Sequence, residues 1–413
     1  MWRLAWRNLW RNRTRTIITG SAIALTLMLR LVTVGLNASN YEKMLQGAEK
    51  SAGGAILVHA NGYWEARTGA YILSDAARRQ AALEQLQEVS VVVPRVMMSG
   101  LLSSANGNMG VQAVGIVPER EKAVQDWQRY LTEGTFLGGD GDTAEIVLGK
   151  AIVKTLDVEL GDRIVLATTD PKGRATQGLF YLGGILSTGS RMTDKGLAFV
   201  RLADAQDALG ISDGVSQLGV VLTTRDTHAS VKPAVERSVA LPGANTAEVL
   251  TWEEANPQMV KLIESDRKTN DGISWVIMLV VAFGIVNTFL MVVLERVREL
   301  GLLGALGMTP GQVARLLLWE GAMLGAVFVG LGLLLGGLAH HELATTGIDM
   351  TEVMGEVEIG GVLLEDMHLR SKLVWSQWLS AALGIFGIVV ASALYPAFKA
   401  TRLEPAQAMR TYE

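Results

Sequence analysis

Four long apolar runs stand out in the pattern of hydrophobic and polar positions along the chain. One comes early, over residues 17–38, and three come late, over 273–294, 316–338 and 373–394. At about 1.5 Å per residue, each run as a helix is long enough to cross the roughly 30 Å hydrocarbon core of a bilayer. Buried helices of a soluble protein are the alternative, but four such runs, each bounded by charge, favour a membrane protein with one N-terminal and three C-terminal spans.

The first run also has to be compared with a cleavable signal peptide. The apolar stretch over 17–38 is longer than the apolar part of a signal peptide, and no clear A-x-A cleavage site follows it. A membrane anchor is therefore the favoured interpretation of this segment.

Basic residues near the ends of the runs predict the orientation. They cluster before the first run, in the loop 295–315 and in the tail 395–413, as Arg3, Arg7, Arg11, Arg13, Arg15, Arg296, Arg298, Arg315, Lys399, Arg402 and Arg410. Because basic residues favour the cytoplasmic side, we expect a multi-pass protein with both termini in the cytoplasm. The acidic loop 339–372 and the long segment 39–270 then lie outside.

The segment 1–16 combines two regular stripes. Tryptophan and arginine each recur every four residues, which places like residues on one helical face, at Trp2, Trp6 and Trp10 and at Arg3, Arg7 and Arg11. A nucleic-acid-binding arm and a targeting peptide are alternatives. The net charge of −4 gives the chain no general basic character, and tryptophan with arginine suits the headgroup region of a membrane. We therefore predict a cytoplasmic amphipathic helix that contacts membrane lipids and leads into the first span, and no nucleic-acid partner.

The segment 39–270 has the pattern of an α+β domain inserted between the first two spans. Strands are predicted over 54–60 and 89–96, a hairpin over 99–117 with its turn at Asn106–Gly107, and a strand pair over 162–186 with its turn at 170–173. Helices are predicted over 75–89 and 203–210. A glycine- and aspartate-rich stretch over 132–142 predicts a division into two lobes, the second spanning roughly 140–225.

Several kinds of site chemistry are missing. The chain has no cysteine, so it forms no disulfide, thiol or Cys-metal site. It contains no phosphate-binding G-x-x-x-x-G-K-[ST] loop, no G-x-S-x-G elbow and no H-E-x-x-H motif. A metal site at His340–His341 beside Glu342 is less favoured than a solvated turn. We expect no catalytic residue and no metal site.

The loop after the second span is the most informative segment. Its pattern predicts a charged start, a short helix with an apolar turn, a sharp break and a capped new helix, with the relevant residues at Glu295, Arg298, Glu299, Leu303, Leu306, Gly307, Met308, Thr309 and Pro310. Gly307 suits the left-handed end of a helix, and Thr309 with Gln312 forms a capping box. The apolar turn needs a partner or the membrane surface. A plain connector with membrane-facing leucines is the alternative.

Four stretches, in order, resemble FtsX-like permeases, the group of type VII ABC transporters that contains MacB and LolC/LolE. They are "LAWRNLWRNRTRTIITGSAIAL" (4–25), "EIVLGKAIVKTLDVELGDRIVLAT" (145–168), "ERVRELGLLGALGMTPGQVARLLLWEGAMLG" (295–325) and "LYPAFKATRLEPAQAMR" (394–410). The resemblance runs along the whole chain and is weakest over 39–140.

The resemblance implies a dimeric permease of the bacterial inner membrane with no ATPase site of its own. A separate cytoplasmic ABC ATPase would bind ATP and magnesium and would dock on the coupling helix, here about Glu299–Leu306 together with residues 307–310. This chain would bind no cofactor. In this family the closure of the ATPase is transmitted through the spans to the periplasmic domain, which is called mechanotransmission.

Two functions are compatible with the resemblance. A LolC/LolE-like subunit would extract lipoproteins or lipids from the inner membrane and pass them to a periplasmic lipoprotein carrier. A MacB-like subunit would drive efflux of a periplasmic substrate through an adaptor and an outer-membrane channel. The lack of a fused ATPase favours the first. The substrate, and the choice between a second copy and a paralogue as the dimer partner, stay open.

Two charged residues fall inside the apolar runs. Arg30 either snorkels out of the first span or lines a cavity at the dimer interface. Glu320 lies one turn inside the third span, where it would reach cytoplasmic water or pair with the N-terminal arginines.

Overall fold

The structure is a computed structural model that describes residues 2–66, 71–138, 143–189, 191–224, 227–349, 358–359, 362–363 and 368–401. The chain divides into two compact units. The membrane unit contains Met1–Glu42, Glu264–Met350 and His368–Glu413, and the inserted unit contains Lys43–Ile263 and Thr351–Met367.

The described helices are numbered here in chain order. They are α1 (Trp2–Leu9), α2 (Arg13–Ala52), α3 (Tyr63–Ala66), α4 (Ala76–Leu83), α5 (Pro118–Glu121), α6 (Lys150–Leu156), α7 (Arg191–Asp194), α8 (Leu202–Leu209), α9 (His228–Val239), α10 (Trp252–Ala255), α11 (Pro257–Glu295), α12 (Val297–Ala305), α13 (Pro310–Thr345) and α14 (Trp375–Thr401).

Four of these helices, α2, α11, α13 and α14, are long and apolar enough to cross a membrane, with mean hydropathies of 1.9, 2.7, 2.2 and 2.0 in their most apolar windows. This confirms the predicted membrane protein with one N-terminal and three C-terminal spans. The helices are longer than the apolar runs that they contain. Helix α2 has 40 residues and α11 has 39, so both continue into the sequence predicted as the inserted domain.

The core of the membrane unit is formed where the spans pack closely. Leu27 and Leu31 of α2 are fully buried and lie in one apolar cluster with residues of α11, α13 and α14. A Cβ atom on Gly332 of α13 would lie 2.9 Å from the carbonyl oxygen of Ala24 on α2. Glycine therefore permits these two backbones to approach, which is a common way of packing helices in membranes.

The predicted amphipathic helix over 1–16 needs a correction, because it is interrupted. Helix α1 ends at Leu9, residues 10–12 form a turn, and α2 begins at Arg13. The hydroxyl of Thr16 donates to the carbonyl oxygen of Leu9 at 2.5 Å, which closes the turn. Trp2 and Trp6 share the exposed face of α1, whereas Trp10 lies in the turn and is half-buried.

The described strands are β1 (Ile56–Ala60), β2 (Val89–Ser103), β3 (Asn108–Ile116), β4 (Leu131–Gly134), β5 (Glu145–Gly149), β6 (Arg163–Thr169), β7 (Ala175–Leu186), β8 (Ala198–Arg201), β9 (Gln217–Leu222), β10 (Ala247–Thr251), β11 (Ile348–Asp349), β12 (Glu358–Ile359), β13 (Val362–Leu363) and β14 (His368–Leu369). Strands β11 and β14 pair with each other, as do β12 and β13.

The first ten strands form one mixed sheet in the order β10-β1-β9-β2-β3-β8-β5-β7-β4, with β6 paired to β2 and β7. The predicted hairpin is confirmed as β2–β3, and its turn is closed by the amide of Ser104 donating to Gly107. The predicted strand pair is confirmed as β6–β7 around the turn at Asp170. Helices α4 and α8 lie at the predicted places, although α4 is shorter than the stretch 75–89.

The sheet also bears on the predicted division into two lobes. Strands from both sides of the stretch 132–142 belong to the same sheet, and one buried cluster joins Ile56 and Val92 to Ile164 and Phe180. The two predicted lobes therefore share one sheet and one core. Residues 139–142 of the proposed boundary lie outside the described residues.

Candidate coupling site

The coupling helix predicted from the sequence is α12, a nine-residue helix between the spans α11 and α13. It ends at Ala305, and Gly307, two residues later, has a φ of +95°. The amide of Met308 donates back to the carbonyl oxygen of Leu303 at 3.0 Å, the six-to-one hydrogen bond typical of a helix that ends on a left-handed glycine. The predicted break at Gly307 is confirmed.

The start of the next span is fixed by the predicted capping box. The amide of Thr309 donates to Oε1 of Gln312 at 2.9 Å, and the amide of Gln312 donates to the Thr309 hydroxyl at 3.4 Å. Pro310 occupies the first turn of α13, where its missing amide hydrogen costs nothing. The sequence 307–312 thus sets a sharp corner between α12 and the third span.

The apolar residues of this corner divide between two surroundings. Leu302 and Leu306 lie one turn apart and are 57% and 75% exposed, so they present one apolar face. Leu303 and Met308 instead pack on a small buried cluster formed by Val293, Val313, Leu317 and Ala397. The expectation of one exposed apolar turn needs this correction: Leu306 is exposed, whereas Leu303 and Met308 hold the corner against the spans.

Ion pairs connect the start of α12 to the N-terminal segment. The guanidinium of Arg11 lies 2.6 Å from a carboxylate oxygen of Glu299, and that of Arg15 lies 2.5 Å from Glu295. Arg296 donates to the other oxygen of Glu299 at 3.1 Å. The hydrogen bond from Arg11, together with Arg296, lowers the pKa of the Glu299 carboxyl, so this carboxylate is charged at neutral pH.

Glu320 lies at the centre of the same cluster and is only 4% exposed. Its carboxylate oxygens are 3.2 and 3.3 Å from Nη1 of Arg296, and it accepts a hydrogen bond of 2.7 Å from Nδ2 of Asn8. The sequence predicted cytoplasmic water or an N-terminal arginine as its partner. That expectation needs a correction, because the direct partners of Glu320 in the described part of the chain are Arg296 and Asn8.

The charged cluster therefore ties α1, the start of α2, the end of α11, α12 and α13 together. A cavity of about 360 Å³ lies beside it. The side chains that line the cavity include Asn8, Arg11, Arg15, Arg296 and Glu320. A displacement of α12 would disturb contacts with three of the four spans, which is the geometry that a coupling element requires.

The remaining predicted residues are distributed around this site. Arg298 and Pro310 are exposed, as are Arg3 and Arg7 on α1. The guanidinium of Arg3 lies 5.6 Å from the centre of the Trp2 ring. An exposed tryptophan and arginine face on α1 is compatible with the predicted contact with membrane lipids, which stays a prediction.

Arg30 lies far from the coupling site along α2, and its guanidinium donates to the hydroxyl of Ser274 on α11. It lines a cavity formed by spans of this one chain. The two predicted positions of Arg30 were a snorkelling position at the lipid surface and a cavity at a dimer interface. The hydrogen bond to Ser274 was not predicted from the sequence.

The prediction of a solvated turn at His340–His341 also needs a correction, since both residues lie within α13. Nδ1 of His340 lies 2.7 Å from the hydroxyl of Ser371, and its ring contacts Trp378 edge to face. Within the described ranges no group of three or more His, Asp or Glu side chains is placed to hold a metal ion.

Comparison with known families identifies the family of the chain. The model of the FtsX-like permease C-terminal domain matches residues 272–405, and the model of the MacB-like periplasmic core domain matches residues 16–238. The chain belongs to this family of FtsX-like, MacB-type permeases. It is accordingly a permease subunit of an ABC transporter, and its inserted unit is the periplasmic domain of that family.

Relatives of two kinds match over most of the chain. The lipoprotein-releasing system transmembrane protein LolC of Neisseria meningitidis is 23% identical over 338 residues, covering 79% of each chain. The corresponding LolE of Haemophilus influenzae is 25% identical, covering 95% of this chain and 94% of its own. The pyoverdine export ATP-binding/permease protein PvdT of Pseudomonas syringae is 26% identical, covering 98% of this chain and 58% of its own.

Proposed function

We propose that this permease subunit releases lipoproteins from the bacterial inner membrane, driven by a separate ABC ATPase that docks on α12. The observation that carries the coupling role is the geometry of α12. Leu302 and Leu306 are exposed, whereas Leu303 of the same helix packs against the spans and Glu299 pairs with Arg11 of the N-terminal segment. The similarity to LolE along nearly the whole of both chains supports the choice of cargo.

The contacts of α12 suggest how a movement of the ATPase would be transmitted to the spans. An ATPase bound on the Leu302–Leu306 face would move α12 as a unit, because Gly307 and the capping box fix its far end. The pairs Glu299–Arg11 and Glu295–Arg15 would pass this movement to the N-terminal end of α2. ATP and magnesium would bind to the ATPase, and this chain would supply no cofactor site.

Helix α2 would carry the movement into the periplasmic domain. It runs without a break from Arg13 to Ala52, and its last turn is fastened to the sheet, since Nε2 of Gln217 on β9 donates to the carbonyl oxygen of Ala52 at 2.8 Å. A tilt or rotation at the first turn of α2 would therefore be transmitted along the helix to its last turn, which is hydrogen-bonded to β9.

This proposal includes an orientation, with both termini and α12 in the cytoplasm. The chain has no cysteine, so single cysteines report without background. Asn106 and Gly311 are both exposed. In intact spheroplasts we expect a membrane-impermeant maleimide to label Asn106→Cys and not Gly311→Cys. Labelling of Gly311→Cys without permeabilisation would reverse the orientation.

The proposal also includes a dimer, with a second permease copy or a paralogue as the partner. Several large apolar side chains of α11 are well exposed, among them Trp275, Val280 and Phe283 at 64%, 66% and 72%. Such a surface requires lipid or a second set of spans to cover it.

The cargo is tested by reconstituting the permease with its ATPase in liposomes that carry an acylated lipoprotein. We expect ATP to release the lipoprotein into solution when a periplasmic lipoprotein carrier is present. The matched control is the same lipoprotein with its acylated cysteine replaced by serine and expressed as a soluble protein. ATP hydrolysis that is stimulated by the soluble form alone would contradict lipoprotein release.

Export of a periplasmic substrate through an adaptor is the second candidate. The similarity to PvdT favours it, because that match covers 98% of this chain. In that case the permease should copurify with an adaptor protein, and lipoprotein release should be absent in the liposome assay.

A further inference from the structure

A cavity with both polar and apolar lining lies among the spans, at the end of the membrane unit opposite to α12. It has a volume of about 510 Å³ and is formed by α2, α11 and α14 of the same chain. Its lining combines two arginines and one aspartate with neutral polar and apolar groups: Arg30, Val34, Asn37, Ala38, Tyr41, Arg267, Asp271, Ser274, Trp275, Met278, Gln377, Ser380, Ala381 and Gly384.

The charges of this lining are not balanced. Arg30 and Arg267 bring two positive charges, and Asp271 brings one negative charge. Arg30 donates to the neutral hydroxyl of Ser274, and neither arginine forms an ion pair with a carboxylate in the part of the chain that the structure describes. A guanidinium has five N–H donors, so both arginines keep donors for an anion.

In the proposed orientation, the depth of the cavity places these donors near the periplasmic surface of the inner membrane. Arg30 lies eight residues, or about 12 Å along a helix, inside the end of the apolar run at residue 38. Its guanidinium contacts Ser274, which is only the second residue of the apolar run 273–294. Arg267 lies about 10 Å further out along α11. Charged donors at this depth match the headgroup of a lipid, and an apolar wall deeper in the membrane matches its acyl chains.

The wall of the cavity fits acyl chains. The apolar part of the lining includes Trp275 and Met278 of α11 and Ala381 and Gly384 of α14. Gly384 adds no side chain, and its nearest neighbour is the terminal methyl of Met278, at 3.6 Å from a Cβ built on the glycine. Methionine adapts readily to irregular apolar partners.

We propose that this cavity binds one glycerophospholipid of the outer leaflet, with its phosphodiester against Arg30 and Arg267 and its acyl chains along Trp275 and Met278. Arginine recognises a phosphate with paired, charge-assisted hydrogen bonds. Ser274 positions the Arg30 guanidinium toward the headgroup level. This site is separate from the release of lipoprotein and needs neither ATPase nor cargo, so it is tested on the permease alone.

Trp275 provides a reporter inside the proposed site. The permease is purified in a phosphate-free maltoside detergent and titrated with phosphatidylglycerol whose acyl chains carry bromine, which quenches nearby tryptophan. The chain has 10 tryptophans, so the signal of Trp275 is taken as the difference from the Trp275→Phe variant. Brominated diacylglycerol, which has the same chains and no phosphate, is the reference lipid, and inorganic phosphate is added as a competitor.

We expect half-quenching of Trp275 at a roughly tenfold lower mole fraction of phosphatidylglycerol than of diacylglycerol, as one charge-assisted hydrogen bond would give. Arg267→Gln and Arg30→Gln should each bring the ratio of the two half-quenching mole fractions closer to one. Lys268→Gln is the matched control. It removes the same charge one residue away, on a side chain that is 81% exposed and does not line the cavity, and it should keep the preference.

Three results would overturn the proposal. Equal quenching by the two lipids in the wild type would show that the phosphate makes no contact that contributes to binding. An equal loss in Lys268→Gln and Arg267→Gln would show only general attraction of anions to this face. Displacement of the brominated lipid by millimolar inorganic phosphate would assign the site to a free anion. Because Arg267 lies outside the apolar run, its variant stays informative if Arg30→Gln does not insert.

Discussion

The ion pair between Arg296 and Glu320 gives the sharpest test of how α12 is held to the spans. The side chains are 12% and 6% exposed, so this pair is largely removed from water. Breaking a buried pair by removing one partner typically costs about 3–5 kcal/mol, whereas replacing both partners by apolar groups is often close to neutral. Arg296→Met and Glu320→Leu, alone and together, therefore form an informative cycle.

The two single substitutions should not cost the same. Arg296→Met leaves the Glu320 carboxylate with only the amide of Asn8 at 2.7 Å, and we expect a loss of about 3 kcal/mol. Glu320→Leu leaves Arg296 with Glu299 at 3.1 Å, so the loss should be about half as large. The double substitution should recover most of the stability, with an interaction energy of about 2 kcal/mol or more.

The measurement is the free energy of unfolding by SDS in detergent micelles, followed by tryptophan fluorescence for the wild type and the three variants. Arg298→Met is the control, because Arg298 is exposed and its substitution should change stability by less than about 0.5 kcal/mol. Single variants that both stay within about 1 kcal/mol of the wild type, or a double variant that is simply additive, would refute the reasoning.

Two further predictions concern Gly307 and His59. Gly307→Ala places a side chain at a φ of +95° and should destabilise the corner by about 1–2 kcal/mol, with coupled ATP hydrolysis falling in parallel. Gly311→Ala, in the helix α13, is the control: it should not lower stability, because alanine is the better helix former, and it should leave hydrolysis unchanged. His59 lies in strand β1 and is fully buried, with Nδ1 3.0 Å from the carbonyl oxygen of Ser216. Burial lowers the pKa of its ring from 6.5 to about 4. The unfolded chain therefore binds more protons between these values, and stability should fall by up to about 3 kcal/mol as the pH drops from 6.5 to 4. Thermal unfolding of the full chain across this range checks the slope, which His59→Gln should flatten; an equal slope in that variant would assign it to other groups.

The sequence was most informative where the cause of a structure is local. The four spans follow from uninterrupted apolar runs, and the corner after α12 follows from six consecutive residues, with Gly307 free to adopt a positive φ and Thr309 and Gln312 within reach of each other's amides. The turns at Asn106–Gly107 and Asp170 were predictable for the same reason.

The parts that were missed depend on pairs that are distant in sequence. Arg296 and Glu320 are 24 positions apart, Asn8 and Glu320 are 312 apart, and Arg30 and Ser274 are 244 apart. Periodicity shows that Glu320 lies inside a span but not which side chain crosses from another helix to meet it. Likewise, nothing local to 132–142 indicates that strands on either side of it join one sheet.

The central claim is that an ATPase drives this permease through the exposed face of α12. Leu306 is 75% exposed and Leu302 lies on the same face, so Leu306→Glu should leave the permease folded and inserted while placing an unpaired charge in the contact, at a cost of several kcal/mol. Met308→Glu is a poor substitute, because Met308 packs against the spans, and Arg298→Glu serves as a charge-changing control on the same helix.

The decisive measurement is the amount of ATPase that copurifies with the wild-type permease and with Leu306→Glu, together with ATP hydrolysis of the reconstituted complex. The account predicts that Leu306→Glu loses the ATPase, or keeps it with hydrolysis no longer linked to transport, while membrane insertion stays at the wild-type level. A Leu306→Glu permease that retains a fully coupled ATPase would contradict it, since a plain connector would tolerate glutamate on a solvated turn.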